Sequence, residues 1–142
     1  MSVKRVSPED ARDLMDKEGY VYVDVRSIPE FEAGHPTAAY NVPLAHMGPG
    51  GMVPNHEFLA VMEKCFPHDA KLVLGCKSGG RSLQAAGMLV SAGYTNVVDQ
   101  RAGFHAGIGP SGRPEPGWAP KGLPTSQKAE PGRSYEALRE KK

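Results

Sequence analysis

The sequence predicts an α/β domain in which helices flank a mainly parallel central sheet. Short apolar runs that suit buried strands alternate with segments of helical periodicity, the order expected of strand–helix–strand units. Residues 20–25 are apolar or aromatic almost throughout, which is typical of a strand covered on both faces. The chain of 142 residues has the length of one domain with its own core. Functional residues of such sheets gather beyond the carboxyl ends of the strands.

The first half of the chain opens with a helix. Ser7 suits the N-cap, Pro8 the first helical position, and Gly19 the end of the helix. The elements predicted next are a strand at 20–25, a short helical turn at 29–33, a short strand at 40–42, and a glycine- and proline-rich loop at 44–54.

The second half continues the alternation. Asn55 is expected to cap a helix whose apolar face consists of Phe58, Val61, Met62 and Cys65. The elements predicted after it are a central strand at 72–74, a helix at 81–92 that stops at Gly93, and a strand at 96–99. Strands and helices that alternate in this way build layers around a parallel sheet.

The C-terminal part of the chain differs in composition. Residues 107–124 are rich in Gly and Pro, and Trp118 and Leu123 are the side chains expected to anchor them on the domain. Residues 125–142 are polar and charged, with little to bury, so we predict a flexible C-terminal tail. The folded domain is therefore expected to comprise residues 1–124.

Charge and composition exclude several classes of partner. The net charge of +1, without a basic stripe or interleaved aromatic residues, predicts no nucleic-acid partner. No apolar run is long enough to span a bilayer, so no membrane partner is expected. The two cysteines cannot form a disulfide framework and match no zinc pattern, so neither a metal nor another cofactor is expected. A reduced, cytoplasmic location is predicted.

Cys76 is the candidate nucleophile. It lies on a tight, glycine-rich turn between the predicted strand at 72–74 and the helix that begins at Arg81. The backbone N–H groups of such a turn converge on an anion, and the helix N-terminus adds positive potential, so thiolate is favoured over thiol. The turn is expected to need both Gly79 and Gly80, because β-branched residues adopt its backbone poorly.

Three chemistries could use this loop. Residues 75–82 come within one residue of a nucleotide-binding P-loop, but Arg81 stands at the lysine position and Cys76 would have no role there. A cysteine phosphatase places five residues between its Cys and Arg, whereas four separate Cys76 from Arg81. The tighter ring suits a single sulfur atom better than a phosphate. Sulfur transfer through a persulfide on Cys76 is therefore the favoured alternative.

Three motifs in the chain resemble those of the single-domain rhodaneses, the thiosulfate sulfurtransferase family. Cys76-Lys77-Ser78-Gly79-Gly80-Arg81-Ser82 is similar to the active-site loop of that family. The upstream signature of the family resembles Val23-Asp24-Val25-Arg26, Glu30-Phe31 and Gly34-His35. The strand and turn that close its catalytic domain resemble Val98-Asp99 and Ala102-Gly103-Phe104.

The resemblance implies a rhodanese-like three-layer fold and a catalytic domain at residues 1–124. It implies an enzyme that moves sulfane sulfur from a donor such as thiosulfate to a thiophilic acceptor, either cyanide or a thiol, including that of a thioredoxin-like or sulfur-relay protein. Cys76 would carry the persulfide, and the loop residues that would surround the substrate are Lys77, Ser78, Gly79, Gly80, Arg81 and Ser82. The residues that would support the site are Asp24, Arg26, Glu30 and His35.

The chain departs from the family pattern at two places. His35 is followed by Pro36-Thr37-Ala38-Ala39, which alters a turn. Glu30 stands near the position where tandem-domain rhodaneses carry a substrate-binding arginine. The change after His35 is expected to leave the chemistry intact, while Glu30 leaves the affinity for thiosulfate open.

Several of these side chains carry a specific structural expectation. Arg81 is expected to brace the loop through a carboxylate. Arg26 and Glu30 are four residues apart and are expected to form a local ion pair. His35 is expected to be a hydrogen-bonded structural residue, because transfer from a preformed thiolate needs no general base. Lys77 is either a solvated loop lysine or a positive group that steers an anionic donor.

Two alternatives come from other functional classes, namely a non-catalytic rhodanese-like binding module and a redox sensor. The intact Cys76 and its glycine-rich loop disfavour the first, because an inactive module could lose both. The second requires a thiol partner within reach. Cys65 shares the apolar face of the predicted helix and is therefore expected in the core rather than as a resolving cysteine.

Overall fold

A five-stranded parallel sheet lies at the centre of the computed structural model, which describes residues 3–141. The strands are β1 (Lys4–Val6), β2 (Val21–Asp24), β3 (His35–Pro36), β4 (Tyr40–Asn41), β5 (Ala45–Gly48), β6 (Gly51–Pro54), β7 (Lys71–Gly75), β8 (Asn96–Gln100), β9 (Ala106–Ile108), β10 (Pro114–Pro116) and β11 (Thr125–Ser126). The helices are α1 (Pro8–Glu18), α2 (Ile28–Ala33), α3 (Phe58–Cys65), α4 (Gly80–Ser91) and α5 (Tyr135–Arg139). Residues 1–2 and 142, which the predicted domain and tail include, lie outside the described residues.

The central sheet has helices on both faces and so forms the middle of three layers. Its strand order is β1-β8-β7-β2-β4, and every neighbouring pair is parallel. One core cluster contains Phe58 of α3 and Leu89 of α4, and the other contains Ala11 of α1, Phe31 of α2 and the buried Trp118. The predicted α/β class and parallel sheet are confirmed, as is Trp118 as an anchor of the segment that follows β10.

The carboxyl ends of three neighbouring strands meet at one edge of the sheet. β2 ends at Asp24, β7 at Gly75 and β8 at Gln100. An added Cβ at Gly75 would approach the Tyr22 hydroxyl closer than 3.0 Å, so the end of β7 has no room for a side chain. Cys76 follows directly, at the edge where parallel sheets place functional residues.

Residues 44–54 contain a β-hairpin where the sequence predicts only a loop. β5 and β6 pair antiparallel, with Ala45 opposite Pro54 and Gly48 opposite Gly51. The turn consists of Pro49 and Gly50, glycine stands on both sides of it, and β6 is exposed along its whole length. No apolar alternation therefore marks these strands in the sequence, and the composition favours a loop.

Asn55 does not cap the following helix, so its prediction as N-cap is wrong. α3 begins at Phe58 after the N-cap Glu57. Asn55 is buried, and its Oδ1 accepts a hydrogen bond of 3.0 Å from Glu57 N. Its amide donates to Pro43 O and Tyr135 Oη at 2.9 and 3.0 Å. The side chain joins the hairpin segment to α5 instead.

Among residues 3–141, no helix has the length and apolar character needed to cross a membrane.

The C-terminal segment is folded onto the domain, contrary to the predicted flexible tail. β11 pairs antiparallel with β3, and α5 buries Tyr135 and Leu138 in the core. Glu130 Oε1 lies 3.2 Å from Nε2 of the buried His35. The expectation that this segment has little to bury is wrong, because two apolar side chains three positions apart face inward from one helix turn. Composition averaged over the whole segment conceals such a pair.

Substituting Leu138 by alanine should destabilise the folded protein. Leu138 is 4% exposed and packs in the same core as α3 and α4. Large-to-small changes at such sites lower the free energy of unfolding by about 2–5 kcal/mol. Urea unfolding followed by circular dichroism measures the loss. The matched control is Glu140→Ala, an exposed position two residues later, which should stay within about 0.5 kcal/mol. Equal midpoints for the two variants would show that α5 does not dock in solution.

Candidate active site

Cys76 lies in a ring of backbone N–H groups at the carboxyl edge of the sheet. Gly79 N donates to Cys76 Sγ at 3.1 Å, and Ser82 N donates to it at 3.3 Å. Ser82 Oγ lies 3.4 Å from the same sulfur. The Cys76 residue is only 2% exposed. Two N–H dipoles and the start of α4 therefore point at one sulfur atom, which stabilises negative charge on it.

Only one of the two loop glycines is required by the backbone. Gly79 has φ of +101°, and an added Cβ would approach the Arg101 carbonyl oxygen closer than 3.0 Å. Gly80 is the first residue of α4, and an added Cβ there meets no atom within 4 Å. The expectation that both glycines form the turn is therefore corrected, because a helix start accepts any ordinary residue at Gly80.

The segment after β8 forms the floor of the loop. Phe104 N donates to Cys76 O at 2.7 Å, and His105 N donates to Lys77 O at 3.1 Å. Gly103 has φ of +70°, and an added Cβ would approach Lys77 O closer than 3.0 Å. Gly103 of the closing motif thus allows the backbone after β8 to lie close to the first half of the loop and hold it in place.

Arg81 is braced by a carboxylate, as predicted, and the partner is Glu30. Nη1 donates to Oε1 at 2.8 Å, and Nη2 donates to Oε2 at 3.0 Å. Burial alone would raise the pKa of Glu30, but hydrogen bonds from Arg81 and from both Ser27 Oγ and Ser27 N outweigh it and lower the pKa to about 2. This bidentate pair ties the N-terminal turn of α4 to α2.

Arg26 does not pair with Glu30, so that prediction is wrong. Arg26 Nε and Nη2 donate to Asp24, with Nη2 2.7 Å from Oδ2, and both side chains are 2% exposed. Nη2 also donates to Gly34 O at 2.6 Å, and the guanidinium lies 4.4 Å from the centre of the Phe104 ring. Arg26 therefore joins the end of β2 to the segment after β8. The spacing of four residues indicated a local helical pair, whereas Arg26 precedes the helix.

His35 is a hydrogen-bonded structural residue, as predicted. Its Nδ1 lies 2.8 Å from Phe31 O and its Nε2 3.2 Å from Glu130 Oε1, and its ring stacks on Phe31 with the ring centres 3.8 Å apart. The side chain is fully buried. Both ring nitrogens already have partners, so the residue orders the turn after α2 and has no free nitrogen for proton transfer.

Arg5 and Asp99 form a support that sequence reasoning missed. Arg5 Nε donates to Asp99 Oδ2 at 2.8 Å, and Arg5 Nη2 donates to Gly79 O at 3.4 Å. Asp99 is fully buried, and burial raises its pKa, although Ser82 and Arg5 offset part of that effect. Among residues 3–141 its Oδ1 has no hydrogen-bond partner at ordinary distances. Because the edge strand β1 was absent from the predicted elements, its register with β8, which places Arg5 beside Asp99, could not be foreseen.

A cleft of about 230 Å³, which we call the polar cleft after the charged side chains in its wall, opens at the Lys77 end of the loop. The residues that line it are Arg26, Glu30, Ala33, Gly34, Lys77, Phe104 and His105. Lys77 and its neighbour Ser78 are both exposed. The sequence left Lys77 open between a solvated residue and one that steers an anion, and its place on the wall of this cleft favours the second. Among the described residues, no cluster of His, Cys, Asp and Glu side chains is arranged to hold a metal ion.

Lysine is not expected to take over the role of Arg81, because a single ammonium group cannot reproduce the two parallel hydrogen bonds to Glu30. Arg81→Lys is expected to lower kcat/KM for sulfur transfer by about tenfold, nearly as far as Arg81→Ala. Steady-state assays at pH 7 test the substitution, and full activity of the lysine variant would reduce Arg81 to a diffuse charge.

The stabilisation of the fold by the Arg81–Glu30 ion pair depends on pH in a direction that the pKa of Glu30 sets. The lowered pKa of Glu30 means that the pair stabilises the fold above pH 4.5 and loses this contribution as the pH falls toward 2. Urea unfolding at about pH 5 and about pH 2.5 tests this pH dependence.

Comparisons with known proteins cover most of the chain. A family model described as a rhodanese-like domain matches residues 7–108. Thiosulfate sulfurtransferase 16 of Arabidopsis thaliana, described as chloroplastic, is 39% identical over 120 residues, which cover 84% of this chain and 90% of that protein. The senescence-associated protein DIN1 of Raphanus sativus is 42% identical over 94 residues, covering 66% of this chain and 51% of its own length. The crystal structure of Rv0390 from M. tuberculosis superposes with a TM-score of 0.73 at 28% identity, covering 90% of this chain and all of the other.

Proposed function

Because the chain belongs to the rhodanese-like domain family, we propose that it is a sulfurtransferase with Cys76 as its nucleophile. It moves sulfane sulfur from a donor such as thiosulfate to cyanide or a thiol, through a persulfide on Cys76. The observation that carries this proposal is the pair of N–H groups, from Gly79 and Ser82, that donate to Cys76 Sγ. The name of the plant relative, a thiosulfate sulfurtransferase, supports the choice of donor.

The reaction runs in two displacements at sulfur. In the first, the Cys76 thiolate attacks the outer sulfur of thiosulfate, the sulfur–sulfur bond of the donor breaks, and sulfite leaves with the electron pair. In the second, the acceptor attacks the outer sulfur of the persulfide, and the Cys76 thiolate leaves. Each step starts or ends with negative charge on Cys76, which the converging N–H groups stabilise in place of water.

The surrounding residues divide into loop supports and an anion entrance. The Arg81–Glu30 pair and the Arg5 contact to Gly79 O hold the loop from opposite sides. Lys77 lies on the wall of the polar cleft and attracts the doubly charged donor as it approaches. Asp24 and Arg26 act through position alone, because both are buried and paired with each other.

The geometry disfavours a cysteine phosphatase and a redox pair. Gly79 N, Ser82 N and Ser82 Oγ all lie 3.1–3.4 Å from Sγ, which supports a loop that fits closely around a single sulfur atom. Cys65 is half-buried at the end of α3, and its Sγ contacts Leu138 O at 3.5 Å. Burial raises the pKa of the Cys65 thiol, which makes it a poor attacking or resolving thiol near neutral pH.

Intact-protein mass spectrometry tests the proposal. The reduced protein, incubated with excess thiosulfate and then freed of it, should gain the mass of one sulfur atom, and cyanide should remove that mass with formation of thiocyanate. Peptide mapping should place the added sulfur on Cys76. Cys65→Ser is the control and should load to the same extent. A wild type that gains no sulfur from thiosulfate, or one that hydrolyses aryl phosphates efficiently, would contradict the proposed function.

A further inference from the structure

A second, apolar cleft opens at the Arg81 end of the loop. It has a volume of about 590 Å³ and lies among the β5–β6 hairpin, α3 and α4. We call it the methionine cleft, and its main lining residues are Leu44, Met52, Leu59, Arg81, Gln84 and Met88. Its size falls within the range of sites that bind small molecules, and its lining is mostly apolar with a few polar groups, as such sites require.

The methionine cleft shares Arg81 with the active-site loop. The Arg81 guanidinium contributes to its wall and at the same time pairs with Glu30, which lines the polar cleft on the other side. The ion pair therefore has one member in the wall of each cleft. Charged side chains contribute to the cleft at Lys77, whereas the methionine cleft is lined mostly by apolar side chains.

The chemistry of the lining indicates an organic thiol as its occupant. Met52 and Met88 are 45% and 37% exposed, so two large, polarisable side chains face solvent in a concave site. Flexible thioether side chains adapt to aromatic and alkyl groups. None of the residues that line this cleft within the described chain is acidic, so no negative charge in its lining opposes a thiolate, while the charge of Arg81 is balanced by Glu30. An acceptor reacts as its thiolate, and this charge balance suits an anionic sulfur attached to an apolar body.

We propose that the methionine cleft binds the organic part of the sulfur acceptor, a small thiol with an aromatic or branched alkyl body. This inference rests on the proposed function. The bound thiolate attacks the outer sulfur of the Cys76 persulfide, a new sulfur–sulfur bond forms on the acceptor, and the Cys76 thiolate leaves with the electron pair. The acceptor departs as an organic persulfide. Donor and acceptor thus use different entrances to the same sulfur.

Acceptor kinetics with thiophenol, 2-mercaptoethanol and cyanide test this division. Thiophenol should have a KM about tenfold below that of 2-mercaptoethanol in the wild type, because only thiophenol has a ring that can pack on the apolar lining of the cleft. Met52→Glu and Met88→Glu should each lower the ratio of kcat/KM for thiophenol to that for cyanide by about tenfold. Both positions are exposed, so these variants should fold. Ile108→Glu, at an apolar residue that is 59% exposed on β9, is the matched control and should leave the ratio as it is in the wild type.

A measurement of sulfur loading on Cys76 distinguishes a failure of this proposal from a failure of the proposed function. If thiosulfate does not load Cys76 in the wild type, the proposed function itself is wrong. If Cys76 loads but the glutamate variants keep the wild-type ratio, the acceptor does not use the methionine cleft. If the variants impair transfer only to a protein dithiol such as reduced thioredoxin, the cleft docks a protein and the small-thiol proposal is overturned. Competition by thioanisole against thiophenol, and its absence against cyanide, would add direct support.

Discussion

Replacing Cys76 by serine should reduce sulfur transfer from thiosulfate to cyanide by at least about 10⁴-fold, to the uncatalysed background. A hydroxyl group at this position cannot form a persulfide, and it does not ionise near neutral pH to attack sulfur. No other described thiol lies in the loop, and burial raises the pKa of the remaining cysteine, Cys65. The variant should also gain no mass on incubation with thiosulfate.

The fold of the serine variant should stay intact, which makes the loss of activity interpretable. Serine is slightly smaller than cysteine, and its oxygen can still accept hydrogen bonds from Gly79 N and Ser82 N. Circular dichroism and urea unfolding should therefore match the wild type to within about 1 kcal/mol. Cys65→Ser is the companion variant and should keep most of the turnover. Residual transfer by Cys76→Ser well above background would mean that sulfur does not pass through a persulfide on this residue.

The location of the site could be predicted from the sequence because its signals are local. A buried apolar run, a glycine-rich turn and a helix start place Cys76 at the carboxyl edge of a parallel sheet whatever the rest of the chain does. The same local reasoning predicts that Arg81 needs a carboxylate, because a cation at a helix N-terminus is otherwise unfavourable. Periodicity likewise predicts the central strands and the longer helices, apart from a residue or two at their ends.

The identity of the partners could not be predicted, because it depends on pairings between distant elements. Glu30 forms its ion pair with Arg81, which is 51 residues away in the sequence, rather than with Arg26. Arg5 reaches Asp99 only through the register of an edge strand too short to show a pattern. The prediction of a flexible tail after residue 124 is wrong for a similar reason. The side chains that this segment buries, Tyr135 and Leu138, do not stand out in its polar composition. Their docking becomes visible only with the core into which they pack.

The last large effect is expected at Gly79, where the structure distinguishes two neighbouring glycines. Gly79→Ala should lower sulfur transfer by about 100-fold, the loss that follows when a reacting atom is displaced by roughly an ångström. A side chain at φ of +101° is strained, and its Cβ would collide with the Arg101 carbonyl oxygen. A shift of the loop away from this collision moves Gly79 N, which is one of the two N–H groups that hold Cys76 Sγ. The free energy of unfolding should also fall, by about 2–5 kcal/mol for the strained backbone and the collision together.

Gly80→Ala is the matched control, since it adds the same methyl group one residue later. Its Cβ meets no atom within 4 Å, and its backbone is already helical. Alanine is favoured over glycine within helices by about 0.5–1 kcal/mol, so this variant should be as stable as the wild type or slightly more stable. Its rate of sulfur loading from thiosulfate should remain within about twofold, because Gly79 N and Ser82 N keep their positions. If both alanine variants loaded Cys76 at the wild-type rate, the close backbone cradle around the sulfur would not be needed for the chemistry. If both failed equally, the loop would need flexibility at Gly80 that a single conformation does not display.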